Sequence, residues 1–176
     1  MSLGSSVAPA ATVAQGLLQW LQNLQALSGN ALAALLLAEG EAAIRAGSPL
    51  PRGVLRGPIK QCFQNAGELL TADPSLTYCE GYAVLPDIGL PMLHAWCLTA
   101  EGRVVDPTWR DAEQAFYLGL PYQPEFCLAH WSTDAVWDIW AEFPSSLLVA
   151  KHWPMDRVLA RGWLQHPEAV ALAWPF

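Results

Sequence analysis

Charge is scarce in this chain, and positive charge is scarcest. Lys and Arg number 9 among 176 residues, against 16 Asp and Glu, which leaves a formal net charge of −7. A nucleic-acid binder needs a basic face to displace counterions from phosphate, and no Lys/Arg cluster offsets the balance locally. No nucleic-acid partner is therefore expected, and strongly anionic substrates are disfavoured. Close cysteine pairs are also missing. Cys62, Cys79, Cys97 and Cys127 form no C-x-x-C unit, which argues against a zinc ribbon or a redox dithiol. Their even count would allow two disulfides, but the chain is neither small nor Cys-dense, so free thiols in a reducing compartment are expected. Long apolar runs are lacking as well: the longest, Ala31 to Ala38, is far too short to span a bilayer and meets Glu39. No basic stretch followed by a signal-length apolar segment opens the chain, and Met1-Ser2-Leu3-Gly4-Ser5-Ser6 reads as a flexible leader within residues 1–12. A soluble, cytoplasmic protein with no membrane contact is expected.

What is present points to a well-buried fold. Hydrophobic residues make up 53% of the chain and charged residues only 14%, a balance that belongs to globular rather than disordered chains. The length suits one domain with a sizeable core, expected over residues 13–176. Nine tryptophans are many for this length. Several fall late (Trp131, Trp137, Trp140, Trp153, Trp163 and Trp174), where core is the first expectation and a groove or partner surface the second.

Leu17, Leu18, Leu21, Leu24 and Leu27 recur at helical spacing within Val13 to Ala46. Ser28-Gly29-Asn30 interrupts the pattern, and Ala31 to Arg45 resumes it, so a helical hairpin over 13–46 is predicted. Gly47 to Pro58, rich in Pro and Gly, reads as a loop. A helix then runs from about Ile59 to Ala72 and stops before Asp73-Pro74, with Cys62 in its first turn. Tyr78 to Leu85, Pro91 to Thr99 and Arg103 to Asp106 read as strands, the last two joined by a tight turn at Ala100-Glu101-Gly102. Helix followed by antiparallel strands predicts an α+β fold. Ala112 to Leu118 reads as a short helix or a strand, Glu125 to Trp131 as a strand, and Ala135 to Glu142 and Met155 to Leu164 as helices. The catalytic part is expected over 58–131, with a Trp-rich C-terminal part over 132–176.

Three residues in the order Cys, His, Asp carry the chemistry: Cys62, His94 and Asp106. A thiol needs a base to become a thiolate, and the base needs a third group to hold its ring. A helix N-terminus favours negative charge on sulfur, and the Cys62 backbone N–H is a ready oxyanion donor. Gln61 is the first candidate for a second donor, and Gln64 a weaker one. His94 and Trp96 share one strand face, which makes Trp96 a candidate substrate contact, while Cys97 points the other way toward core. Pairing back from the turn brings Asp106 level with His94, directly across or one diagonal step away. Taken singly, each residue has an ordinary explanation: a small buried thiol, a satisfied core histidine, a turn-former before Pro107. Glu80 is as consistent with a surface or turn position as with a site near the thiol. His130, His152 and His166 have no metal-ligand spacing, so no metal and no cofactor are expected.

Leu93-His94-Ala95-Trp96, a short turn, then Val105-Asp106-Pro107-Thr108 resembles the transglutaminase-like branch of the papain-like cysteine protease superfamily. Cys62 upstream at a helix start matches its order of residues, and Tyr78-Cys79-Glu80-Gly81-Tyr82-Ala83 is similar to the strand before its His strand. The resemblance covers roughly Pro58 to Trp109 and does not extend into the Trp-rich tail. It implies a Cys-bearing helix packed on an antiparallel sheet, and a thiol hydrolase or acyltransferase acting on a peptide or protein amide through Cys62, His94 and Asp106. Peptidase, amidase, deamidase and transglutaminase reactions differ only in what receives the acyl group. Two alternatives stand beside it: a catalytically silent binding module on the same fold, and an effector-type glutamine deamidase.

Overall fold

The computed structural model describes residues 10–38, 43–134, 160, 170 and 171. Residues 1–9 of the expected leader, Ala135 to Glu142, all of Met155 to Leu164 but Ala160, the tryptophans after Trp131, His152 and His166 lie outside the described residues, while residues 10–12 of that leader are helical. Helix α1 spans Ala10–Ser28. Its buried residues Ala14, Leu17 and Leu21 follow the helical period, and Leu18 and Leu24 pack partly against the same core. Leu27 breaks from the expected stripe and is 88% exposed. The Gly29 N–H bonds back to the Gln25 carbonyl at 2.9 Å, which closes α1. Asn30 then starts α2 (Ala31–Ala38) by accepting the Ala33 N–H on its side-chain oxygen at 2.8 Å, satisfying one of the donors a helix start leaves open.

The second arm of this hairpin is shorter than its sequence suggests. Residues Ala43–Ala46 form strand β1 instead of continuing the helix. The physical reason lies in Ile44 and Arg45. They are adjacent and both buried, which suits a strand covered on two faces better than a helix resting on one wall.

The remaining elements are α3 (Cys62–Ala72), β2 (Thr77–Val84), β3 (Met92–Leu98), β4 (Val104–Val105), β5 (Phe116–Pro121), α4 (Pro124–Asp134) and β6 (Val170–Ala171). The strands make one sheet in the order β4-β3-β2-β5-β1-β6, with each neighbouring pair antiparallel. The fold is therefore α+β. The Ala112 to Leu118 stretch holds both predicted forms in sequence: a 3-10 turn at Ala112–Gln114, then the start of β5. Glu125 to Trp131, expected as a strand, belongs to α4. Pro124 opens that helix, where its missing N–H costs nothing, and Cys127 and Trp131, four residues apart, are both buried.

Alternation along β2 sorts the core into two layers. Tyr78, Tyr82 and Val84 join residues from all four helices, with Trp20 of α1 edge-on to Tyr82 at 4.9 Å and Trp131 of α4 edge-on to Tyr78 at 4.8 Å. Cys79 and Ala83 face the opposite way, toward Trp96, Leu98, Val104 and Tyr117. Glu80 is neither on the surface nor in a turn: it is fully buried and accepts the Tyr78 hydroxyl at 2.7 Å. Among the described residues no helix is long and apolar enough to cross a membrane.

Candidate active site

Cys62 is the first residue of α3, with Gln61 as its N-cap. The helix was expected from Ile59. It starts later because Lys60 has φ of 67°, a left-handed conformation that cannot continue a right-handed helix. Cys62, Asn65, Ala66 and Leu70 are buried along α3, three to four residues apart, and this stripe presses the helix onto β3 and β2. The far end closes at Asp73, whose N–H bonds the Leu69 carbonyl at 2.9 Å and whose carboxylate accepts the Ser75 hydroxyl at 2.6 Å.

His94 lies on β3 opposite Gly81 and is 2% exposed. The hairpin that follows fixes its relation to Asp106. Gly102 donates to the Thr99 carbonyl at 2.8 Å, and Thr99 donates to the Arg103 carbonyl at 3.0 Å. Gly102 holds φ of 80°, the left-handed position that a three-residue hairpin loop requires. The resulting register pairs Leu98 with Val104 and Cys97 with Val105. One step further, Asp106 falls level with Trp96, so its relation to His94 is the diagonal one. That distance suffices. The His94 Nε2–H donates to Asp106 Oδ2 at 2.8 Å, and the Cys62 thiol lies close enough to the same ring to act on its titration. With Nε2 committed to the carboxylate, Nδ1 is the nitrogen left for sulfur.

Asp106 is held by three further donors. Its Oδ1 accepts the backbone N–H of Thr108 at 2.7 Å and of Trp109 at 3.2 Å, and its Oδ2 accepts the Tyr117 hydroxyl at 2.8 Å. Burial alone would raise this carboxyl, but the bond and charge of His94, followed by the Thr108 and Tyr117 bonds, hold it below its ordinary range. For His94 burial favours the neutral ring. The bonds to Asp106 and Cys62 and their charges outweigh that burial and push its pKa up to about 9. The other three thiols are a contrast: burial pushes Cys79, Cys97 and Cys127 well up, as expected for thiols in apolar surroundings.

Aromatic rings enclose the imidazole. Trp109, half-buried, stacks on it at 4.2 Å with 28° between planes. Trp96 and Tyr117 lie farther off, at 6.4 and 6.1 Å. Trp96 was a candidate substrate contact, but it is only 2% exposed and forms an internal wall. Its indole occupies the space left by Gly119, where an added Cβ would come within 2.4 Å of the ring. Gln64 spends its amide on Glu68, donating at 2.7 Å on the outer side of α3. Gln61 remains exposed, with no side-chain bond into the helix start.

A set of hydrogen bonds ties the segment leading to Cys62 to the segment following Asp106. Asn65, one turn into α3, donates from Nδ2 to the Pro58 carbonyl at 2.8 Å and to Thr108 Oγ1 at 2.9 Å. Gly57 N–H donates to the Pro107 carbonyl at 2.9 Å, and Arg56 donates to the carbonyls of Trp109 and Arg110. A cleft of about 420 Å³ opens beside this strut, lined by Val54, Leu55, Arg56, Asn65, Leu69 and Pro107 among others.

Tyr117, Asn65 and the stacked position of Trp109 escape a reading of the sequence. Tyr117 falls in the stretch that read equally as helix or strand. Asn65 did carry a signal: it is a polar residue on the buried stripe of an amphipathic helix, three positions after Cys62. Among the described residues no group of three or more His, Cys, Asp or Glu could hold a metal ion. Comparison of the chain with protein-family models, with curated proteins and with solved structures found no match in any of the three.

Proposed function

We propose that this protein is a thiol-dependent hydrolase or acyltransferase acting on a peptide or protein amide, with a transglutaminase-like arrangement of Cys62, His94 and Asp106. The observation that carries this reading is the buried His94–Asp106 pair at 2.8 Å on Nε2, whose ring also feels the thiol of Cys62 at the start of α3. With its pKa near 9, His94 holds both ring protons at neutral pH, and an imidazolium beside a helix-start thiol favours negative charge on sulfur. The sulfur electron pair attacks the amide carbonyl, and the displaced oxygen charge falls near the Cys62 backbone N–H, with the exposed Gln61 amide as a second donor. His94 Nδ1–H then protonates the departing amine as the C–N bond breaks, leaving a thioester. The ring, now neutral, takes a proton from the water or amine that attacks the thioester, and the thiol side of the site is restored. Trp109, stacked on the imidazole, keeps water from its face.

The test is the alkylation rate of each cysteine in the folded chain. Cys62 should react far faster than Cys79, Cys97 and Cys127, whose burial keeps them protonated. That excess should vanish in His94→Ala. Equal and slow reaction at all four cysteines would overturn the proposal. A second reading, a silent binding module, draws on one observation: the 420 Å³ cleft runs along α3 at Asn65, Glu68, Leu69 and Ala72, and its lining does not include Cys62 or His94. In that case Cys62→Ala would leave every activity of the protein intact.

A further inference from the structure

Tyr117 and His94 place their protons on the same oxygen. The Tyr117 hydroxyl donates to Asp106 Oδ2 at 2.8 Å, and His94 Nε2–H donates to that oxygen at 2.8 Å. Oδ1 is occupied separately by the Thr108 and Trp109 backbone N–H groups. These two roles differ. The backbone donors on Oδ1 fix where the carboxylate sits, whereas a donor on Oδ2 competes with the imidazole for the charge that holds its proton. Tyr117 has little else to do with its hydroxyl: its other acceptor, the Ala112 carbonyl, stands at 3.4 Å. The phenol is fully buried, and burial together with the Asp106 charge raises its pKa, so it stays a donor throughout the working range.

We infer that Tyr117 is a positioning residue that weakens Asp106 as a partner of His94 and thereby sets the pH at which the His94 ring gives up its proton. This rests on the reading of His94 as the proton carrier for Cys62. A ring held too tightly would keep its proton when the leaving amine needs it, and general acids work best with a pKa near the operating pH. The ionisable groups that meet His94 are Cys62 from α3, Asp106 from the segment after β4 and Tyr117 from β5; the other rings around it, Trp96 and Trp109, do not titrate. Arg56 bears on the network from outside through Tyr117.

The experiment is a pH titration of the His94 ring by NMR in the full chain, with the signal assigned from His94→Gln. In Tyr117→Phe the carboxylate keeps its Oδ1 donors and loses only the competitor on Oδ2. The His94 midpoint should therefore rise by about half a unit to one unit, roughly a three- to tenfold gain in proton binding. Replacing Tyr117 with 3,5-difluorotyrosine keeps the hydroxyl and most of the shape but makes it a stronger donor, and the midpoint should fall. Opposite shifts are something a merely structural role would not produce, and the fluorinated variant preserves the test should Tyr117→Phe fold poorly. In an Asp106→Asn background Tyr117→Phe should leave the midpoint where it was. An unchanged midpoint in both Tyr117 variants, or a shift of the same sign in both, would overturn the inference. Because this is read from the ring and not from turnover, it is separable from the proposed activity. Loss of His94-dependent Cys62 alkylation in the unaltered protein would sink the activity and leave the titration result standing.

Discussion

The two faces of β3 are built for different work from neighbouring residues. Ala95 and Cys97 point under α3, and the Cys97 thiol meets the Ala66 carbonyl of that helix at 3.4 Å. Burial keeps that thiol protonated. His94 and Trp96 point the other way, into a layer of aromatic rings with a buried carboxylate at its edge. The first face is foundation: apart from Glu80, buried opposite Ala95, its groups are mainly apolar, and their worth is in area removed from water. The second is chemistry: its polar groups are buried, each has partners, and their worth lies in which proton sits where. Cys62 joins the two, since it belongs to the helix resting on the first face and acts on the titration of the ring on the second. If this division is real, damage to one face should register in stability and damage to the other in titration and thiol reactivity.

Leu70→Ala is the largest test of the division. Leu70 is fully buried between α3 and the sheet, and removing its side chain should cost about 2–5 kcal/mol in urea unfolding. His94 should still titrate near its original midpoint in the folded variant. A displaced midpoint would show that the two faces are one cooperative unit, and the comparison would fail.

The next effect is pH-dependent. The His94 pKa is raised from 6.5 to about 9 in the fold, so its folded form binds a proton that the unfolded chain releases sooner. The stability this contributes is fully present below pH 6.5 and is lost as pH rises through about 9, by up to about 3 kcal/mol. Asp106 has the opposite sign: its folded pKa is lowered, so its contribution is present above the ordinary Asp range and lost as pH falls through the folded value. Urea midpoints measured across pH 6 to 8, below the range in which thiols of the unfolded chain ionise and the buried Cys79, Cys97 and Cys127 add their own decline, should fall, and His94→Gln should flatten that fall.

The distinction between faces also separates what the chain discloses from what it conceals. The Cys62 helix, the tight turn at Gly102 and the nearness of Asp106 to His94 follow from periodicity and loop length, both local, while the choice of the diagonal over the direct pairing rests on the register of β3 and β4. Ala43–Ala46 does not: an Ala-rich segment after a helix has every local reason to continue it, and the partners that make it a strand, Phe116 and Tyr117, lie some seventy residues away in the chain. The Phe126-Cys127-Leu128 run misleads in the same way, since a short apolar run suits a buried strand or a helix equally, and only Pro124 hints at the latter. Tyr117 and Asn65 depend on meetings 11 and 43 residues apart that no spacing rule encodes.

Asn65 tests the join between the faces. Asn65→Ala removes both Nδ2 bonds, to Pro58 and to Thr108, at about 1–3 kcal/mol. Thr108 in turn holds Asp106 through its N–H, so the Cys62 alkylation rate should fall along with stability. A stability loss with an unchanged rate would confine Asn65 to the foundation.

The smallest expected effect is at Gln64, two residues from the thiol. Its amide is engaged with Glu68 across one helical turn on the exposed side of α3, an arrangement worth about 0.2–0.5 kcal/mol. Gln64→Ala should cost no more than that and should leave both the Cys62 alkylation rate and the His94 midpoint where they were. Proximity in sequence would then count for little, because a residue two positions from Cys62 points about 200° around the helix from it. A fall in alkylation rate would mean that the amide leaves Glu68 and turns toward the sulfur, and the oxyanion role proposed for Gln61 and the Cys62 N–H would have to be shared with Gln64.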